Sequence, residues 1–141
     1  MLKTKTQAKG RVVIELNGEV VRDIPNLITT VGLNYIADRM EGTGETVMSH
    51  MAVGTDNTAA ALGDTNLYSE NGRVALSSTV VTADEIVYTA TFPAGTATGA
   101  LVEAGVFNAA SSGSLLCRTV FSAINKGASD SVTITWTITI S

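Results

Sequence analysis

The chain has 141 residues, a common length for a single domain built around one hydrophobic core. Apolar residues make up 45% of it and charged residues only 16%, against roughly 25% charged residues in ordinary soluble domains. The formal net charge of −4 argues against nucleic acid as the main partner, and no apolar run approaches the length of about eighteen residues that would indicate a membrane-spanning helix.

The first ten residues of the single predicted domain, residues 1–141, form a basic arm. Lys3, Lys5 and Lys9 lie in it, Arg11 follows directly, and no acidic residue accompanies them. Short charged arms are often solvated tails. Because the rest of the chain is acidic, this arm could instead bind an acidic neighbouring subunit.

A β-hairpin is predicted over residues 11–24. Asn17-Gly18 supplies the two positive-φ residues of a type I′ turn, and β-branched runs flank it on both sides. This turn predicts strands at residues 11–16 and 19–24.

The type I′ turn also predicts the register of the hairpin. Ile14 should face Val21, and Val13 should face Arg22. Pro25 should end the second strand, because proline has no backbone N–H to donate.

One helix is predicted over residues 29–42. Thr29 or Thr30 can cap its start, and Gly42 can end it. Apolar residues recur at the helical spacing and predict one buried stripe: Leu33, Ile36, Ala37 and Met40. Gly32 lowers the intrinsic stability of the helix, which should therefore depend on packing against the sheet.

Residues 43–141 are predicted to form a β-sandwich. Apolar and β-branched runs alternate with turn clusters rich in Gly, Ser, Asn and Asp. They predict strands at residues 48–53, 72–82, 85–92, 101–108, 115–124 and 132–140. The expected fold class is mainly β: an antiparallel β-sandwich or jelly-roll-like module that carries an N-terminal β-hairpin and one α-helix.

The last predicted strand has two unlike sides. Large apolar residues occupy alternate positions and should face the core: Val132, Ile134, Trp136, Ile138 and Ile140. Threonines fill the other positions: Thr133, Thr135, Thr137 and Thr139. Exposed edge strands usually carry lysine, glutamate or proline, and this strand carries none of them. The strand is therefore either central in its sheet, or its edge and its threonine side meet a neighbouring subunit.

The sequence indicates no catalytic, cofactor-binding or metal site, and we do not expect an enzyme. His50 is the only histidine, so no histidine pair can hold a metal. Cys117 is the only cysteine and lies among alternating apolar residues, which predicts a buried thiol. Asp56, Asn57 and Asp64 gather oxygens that calcium could use, but their spacing matches no EF-hand.

Four stretches of the chain resemble a group of small structural proteins encoded by tailed bacteriophages. They read MAVGTDNTAAALGDTNLYSE, YTATFPAG, VEAGVFNAASSGSLLCRTVF and INKGASDSVTITWTITIS. The resemblance spans roughly residues 48–141 and does not extend to the N-terminal hairpin and helix. Members of the group serve as capsid decoration, neck or tail parts. The resemblance implies a β-sandwich built into the virion, often as a multimer around a symmetry axis.

The resemblance and the composition together predict a capsid decoration or cement protein. It would be made in the host bacterial cytoplasm, reside in the virion and bind the major capsid protein or neck and tail subunits, as a homo-oligomer with a trimer favoured. The strand of residues 12–16 could add to the sheet edge of a neighbour. The expected partner-binding residues are Lys3, Lys5, Lys9, Arg11, Val12, Val13, Ile14, Thr133, Thr135, Thr137 and Thr139.

Two alternatives stay open at this point. One is a neck, tail or baseplate subunit. The other is a receptor-binding or carbohydrate-binding tip, in which Tyr68 beside the long loop is the aromatic candidate.

Overall fold

The structure is a computed structural model that describes residues 8–42 and 45–140. Two antiparallel β-sheets pack against each other and one helix packs on β8, so the expected mainly β, sandwich-like fold is confirmed. The elements are β1 Ala8–Leu16, β2 Glu19–Ile28, α1 Thr30–Glu41, β3 His50–Gly54, β4 Glu70–Ala75, β5 Ser78–Thr82, β6 Glu85–Phe92, β7 Gly99–Phe107, β8 Leu115–Lys126 and β9 Val132–Ile140.

The strands form two sheets that are joined through β2. In the first sheet the order is β2, β1, β9, β6 and β5, and in the second it is β4, β3, β7 and β8. β2 joins them because its last residues, Leu27 and Ile28, pair with Arg118 and Cys117 of β8. The largest apolar side chains of the core between the sheets include Trp136, Phe92, Met51, Ile14 and Ile134.

The predicted hairpin is present, but its register differs from the expected one. Asn17 and Gly18 both have positive φ, 52° and 87°, and form the turn as predicted. A β-bulge after Ile14 then shifts the pairing, so that Ile14 faces Arg22 and not Val21. The guanidinium of Arg22 consequently reaches the second sheet, where it donates hydrogen bonds to two backbone carbonyls of β8.

Two further expectations for this hairpin are wrong. Val13 lies opposite Asp23 and not Arg22, because of the same bulge. β2 also continues past Pro25 instead of ending there. Proline is tolerated at this position because β8 pairs with β2 only from Leu27 onward, so one edge of β2 is unpaired beside Pro25.

The helix begins and ends at the predicted caps, but its buried side is not the predicted one. Thr29 accepts a hydrogen bond from the backbone N–H of Gly32 at 2.9 Å, and Gly42 ends the helix with a φ of 85°. Gly32 and Tyr35 are buried. Of the predicted stripe, Ile36 is half-buried and three residues are exposed: Leu33, Ala37 and Met40.

The orientation of α1 follows from Gly32. A Cβ atom at this position would lie 2.1 Å from the carbonyl oxygen of Leu116 in β8. The helix therefore approaches the second sheet through glycine, and the predicted stripe is turned partly toward solvent.

The later strands agree with the prediction, with one exception. β6 and β9 have the predicted bounds, and β3, β7 and β8 differ only slightly from theirs. The single strand predicted over residues 72–82 is wrong, because this segment forms β4 and β5, which belong to different sheets. The chain crosses between the sheets at Leu76 and Ser77, whose N–H groups bind the carbonyls of Ser49 and Thr89.

β9 lies in the middle of the first sheet and pairs with β1 and β6 along its whole length. Of the two explanations offered for this strand, the central position is therefore correct, and β9 has no free edge. Its apolar side lies in the core except at Ile140, which is 39% exposed at the end of the strand. Trp136 is fully buried and donates its indole N–H to Asn26 at 3.1 Å. Its threonine side points away from the second sheet.

Candidate interaction surface

The first sheet has an outer side that the second sheet does not cover. Every second residue of β1, β9, β6 and β5 points to this side, and threonine and valine predominate there. We call this surface the threonine face, and it consists of Val13, Ser78, Val80, Thr82, Val87, Thr89, Thr91, Thr133, Thr135, Thr137 and Thr139. None of these side chains carries a charge.

Cross-strand pairing makes the threonine face continuous. Thr135 lies between Thr89 and Val13, and the hydroxyl oxygens of Thr91 and Thr133 are 2.9 Å apart. With strands about 4.8 Å apart and same-side residues about 6.8 Å apart, the three uncharged rows of β9, β6 and β5 give a surface of about 15 by 27 Å. A standard protein interface buries about 800 Å² per partner, so this surface of roughly 400 Å² could form about half of one side of an interface.

Charged residues border the threonine face. Lys9 and Glu85 lie on either side of Thr139 at one end. Arg11 and Asp23 follow along β1 and β2, where two hydrogen bonds of 2.8 and 2.6 Å join their side chains. The guanidinium of Arg11 lowers the pKa of Asp23 through these hydrogen bonds. Glu15 lies beside Thr133 at the other end, so charged residues flank Val13 on β1, and the uncharged area lies on β9, β6 and β5.

The structure brings together only part of the predicted partner-binding set. The residues that share the outer side are Lys9, Arg11, Val13, Thr133, Thr135, Thr137 and Thr139. Val12 and Ile14 are fully buried in the core, so their side chains do not reach a partner. Lys3 and Lys5 lie outside the described residues.

The expectation that residues 12–16 add to a neighbour's sheet does not hold. β1 already has β2 on one edge and β9 on the other, so it has no free edge to offer. Among the described residues, β5 pairs on one side only. All residues of β5 are exposed, Val80 to 54% and Val81 to 68%. The sequence pattern does not reveal this edge, because residues 72–82 contain no signal for the crossing that separates β4 from β5.

The long loop between β3 and β4 is held by buried ionic groups. The fully buried carboxylate of Glu103 accepts backbone hydrogen bonds from three loop residues: Asp56, Tyr68 and Ser69. Arg118 donates to Glu103 at 2.9 Å and to Asp64 at 3.1 Å. Asp64 is therefore the partner of a buried arginine. Within residues 8–42 and 45–140, no group of three or more His, Cys, Asp or Glu side chains is placed to hold a metal ion.

Tyr68, His50 and Cys117 differ in exposure, and Tyr68 is 53% exposed although it contacts two buried charged residues. The ring of Tyr68 lies 4.4 Å from the guanidinium carbon of Arg118, and its hydroxyl donates to Asp64. His50 is half-buried, and its Nδ1 lies 2.7 Å from the hydroxyl of the preceding serine. Cys117 is fully buried as predicted, and burial raises the pKa of its thiol.

The fold and this surface define a mainly β protein with two packed sheets, one described helix and an uncharged outer face. Comparison of the chain with protein families, with curated proteins and with solved structures finds no match. The helix described, α1, is too short to cross a lipid bilayer.

Proposed function

We propose that this protein is a non-enzymatic structural subunit of a tailed-bacteriophage virion, held in place through the threonine face. The observation that carries the proposal is the lack of charge on that face, across β9, β6 and β5. The resemblance of residues 48–141 to small phage structural proteins supports the same function.

An uncharged β-surface is better suited to contact with protein than to contact with water. Burial of a charged side chain costs several kcal/mol unless it is paired, so a surface that will be covered gains from threonine and valine. Where one side of a sheet faces water, the residues on that side are usually polar or charged. Free edges of sheets are usually protected by lysine or proline. β5 has neither lysine nor proline. The threonine face and the adjoining edge of β5 therefore have the properties of a subunit contact.

Within the virion we assign the protein to capsid decoration, with the major capsid protein as its partner and a homo-trimer as its assembly. A neck, tail or baseplate subunit is the alternative. Copy number separates the two, because a decoration protein covers the shell in many copies and a ring component occurs in a single ring.

Purified particles test the assignment. Phage that encode the double variant Thr135→Lys/Thr137→Lys should produce particles that lack the protein, because two ammonium groups would be buried at the contact. The variant should fold normally, since both side chains point away from the core. Quantitative mass spectrometry of the particles gives the copy number of each form.

The matched control is Thr98→Lys. Thr98 is an exposed threonine between β6 and β7, outside the threonine face, and this variant should be incorporated like the wild type. Absence of the wild-type protein from purified particles, or normal incorporation of the double variant, would overturn the proposal.

A further inference from the structure

A cavity of about 570 Å³ lies between α1 and the inner side of the first sheet. Apolar side chains form most of its wall: Ile36 comes from the helix, Leu116 from β8, and Ile86, Ile138 and Ile140 from the first sheet. Cavities that bind small molecules commonly measure about 300–1,000 Å³ and are lined mainly by apolar groups. The size and the lining of this cavity therefore suit a small molecule with an apolar body.

Two tyrosines in the cavity wall add hydrogen-bond donors. Tyr88 is only 6% exposed, and its hydroxyl makes no hydrogen bond within the part of the chain that the structure describes. Tyr35 accepts a hydrogen bond from the backbone N–H of Met48 at 3.1 Å, which leaves its own proton for a second partner. A buried hydroxyl without a partner costs free energy. An occupant that brings an acceptor should therefore bind better than a wholly apolar one.

The two phenols act together as neutral donors. Burial raises the pKa of Tyr88, and electrostatic interaction with Tyr35 adds to the shift. Burial also raises the pKa of Tyr35. Both hydroxyls therefore keep their protons at neutral pH, and they lie close enough to interact with the same ligand group.

Arg39 supplies a positive charge to the cavity wall. It follows Tyr35 by four positions in α1, so the two side chains lie on the same side of the helix. One nitrogen of Arg39, Nη1, donates to the backbone carbonyl of Glu45 at 3.0 Å. The carboxylate of Glu45 is itself bound by Asn108 and Ser114. Among the described residues no carboxylate forms an ion pair with Arg39, so its charge is open to an anionic ligand.

We propose that this cavity binds a small amphipathic carboxylate, such as a medium-chain fatty acid. The hydrocarbon chain lies against the isoleucines of the first sheet. The carboxylate accepts hydrogen bonds from Tyr35 and Tyr88 and pairs with Arg39, and hydrogen bonds to an ionised group are about twice as strong as neutral ones. The bound ligand joins α1 to the first sheet. The proposal rests on the cavity alone and is independent of the assignment to a virion.

Methyl NMR of the wild-type protein tests the site. Decanoate is titrated, at concentrations where it is monomeric, into protein with isotope-labelled isoleucine methyl groups. The signals of Ile86 and Ile138 should shift and saturate at one ligand per chain. The signals of Ile14 and Ile134, which are buried but do not line the cavity, should stay in place. Unchanged signals of Ile86 and Ile138 would overturn the proposal.

A comparison with decan-1-ol tests the class of ligand. The alcohol has the same chain length and is the more apolar of the two, so a cavity without a charge partner would bind it more tightly. Isothermal titration calorimetry at pH 7 should instead give the lower Kd for decanoate. A lower Kd for the alcohol would overturn the carboxylate specificity.

Two variants test the residues assigned to the carboxylate. Tyr88→Phe should raise the Kd for decanoate by about tenfold, because a hydrogen bond to a charged group is lost. Arg39→Gln should raise the Kd for decanoate and leave that for decan-1-ol unchanged. The matched controls are Tyr68→Phe and Arg11→Gln, which lie outside the cavity and should bind decanoate like the wild type. Wild-type affinity for decanoate in both Tyr88→Phe and Arg39→Gln would overturn the proposal.

Discussion

Glu103 connects distant parts of the β3–β4 loop to the second sheet. Its carboxylate binds loop residues that are 34, 35 and 47 positions away in the chain, together with the buried guanidinium of Arg118. Removal of one partner from such a network leaves a buried charge without compensation, which costs more than the loss of an exposed ion pair. The sequence placed Glu103 in a strand, but it could not reveal these partners because all of them are distant in the chain.

Glu103→Gln should lower the free energy of unfolding by about 3–5 kcal/mol. Glutamine keeps the shape of the side chain, but its amide NH₂ faces N–H donors, and Asp64 is then the one carboxylate that still binds Arg118 in the described part of the chain. Urea denaturation followed by tryptophan fluorescence measures the change. The control is Asp23→Asn, which breaks the exposed pair with Arg11 and should have a much smaller effect. Equal effects of the two variants would contradict the role given to Glu103.

Asp130 connects two turns of the molecule. Asn17 in the β1–β2 turn donates to one of its carboxylate oxygens at 2.9 Å, and the backbone N–H of Gly127 donates to the other at 2.7 Å. The hydrogen bond from Asn17 is the main cause that lowers the pKa of Asp130. The stabilisation is therefore complete above the pKa of an unfolded aspartate, about 3.9, and is lost as the pH falls through the lower folded-state pKa.

Asp130→Asn should lower the melting temperature at pH 7, because one of the two N–H donors would then face an amide NH₂ group instead of a carboxylate oxygen. The gap between wild type and variant should close as the pH falls through the lowered folded-state pKa of Asp130, where the wild-type carboxylate also becomes protonated. Differential scanning calorimetry across this range measures the gap. Asp84→Asn, at an exposed turn position, serves as the control and should show a smaller gap at pH 7. A gap for Asp130→Asn that persists at low pH would argue against this linkage.

At the scale of the elements, the sequence predicted best where the decisive contacts are local. The alternation of β9, the Asn17-Gly18 turn and the caps of α1 are all present in the structure. The β2 bulge and the crossing at Leu76 depend on partners in other strands, and neither could be predicted from a local pattern. The same holds for the threonine face. Its β9 row is visible in the sequence, but the strand order β1, β9, β6, β5 that completes it is not sequential.

The variant Gly32→Ala distinguishes the intrinsic helix propensity of α1 from the effect of its packing against β8. In an isolated helix alanine is favoured over glycine by about 1 kcal/mol. In this fold the new Cβ would meet the carbonyl oxygen of Leu116, so the helix would have to move away from β8. We expect a net loss of about 1–3 kcal/mol in the free energy of unfolding, measured by urea denaturation. Asn34→Ala, at an exposed position of the same helix, should be slightly stabilising. Net stabilisation by Gly32→Ala would contradict the close packing of α1 on β8.

At the scale of the whole molecule, the two sides of the first sheet differ in what covers them. The inner side is buried under the second sheet, whereas nothing in the described part of the chain covers the threonine face. β5 extends beyond the second sheet, since Val81 is 68% exposed although it pairs with Ile86 on the inner side. The face and the edge of β5 adjoin, and a partner could contact both of them.

The purified protein should form a homo-oligomer through the threonine face. The face carries no charge, so a different surface of a neighbouring copy can cover it without burying an unpaired charge, and it supplies about half of one side of a standard interface. Thr135→Lys should shift the protein to monomer at concentrations where the wild type is associated, because it places an unpaired charge at the centre of the contact. Thr98→Lys should leave the association unchanged. Sedimentation equilibrium measures the mass of each form.

The mass of the oligomer also distinguishes the threonine face from the edge of β5. Pairing of two β5 edges places the same surface on both copies and gives a closed dimer. A trimer instead requires a heterologous contact, in which the threonine face of one copy binds a different surface of the next. We expect the wild type to be a trimer. The variant Val81→Lys, which changes a residue on the inner side of β5, should remain associated. If the wild type is a dimer that dissociates in Val81→Lys but stays intact in Thr135→Lys, the contact lies at the edge of β5 and not at the threonine face. A monomeric wild type would exclude self-association through either surface.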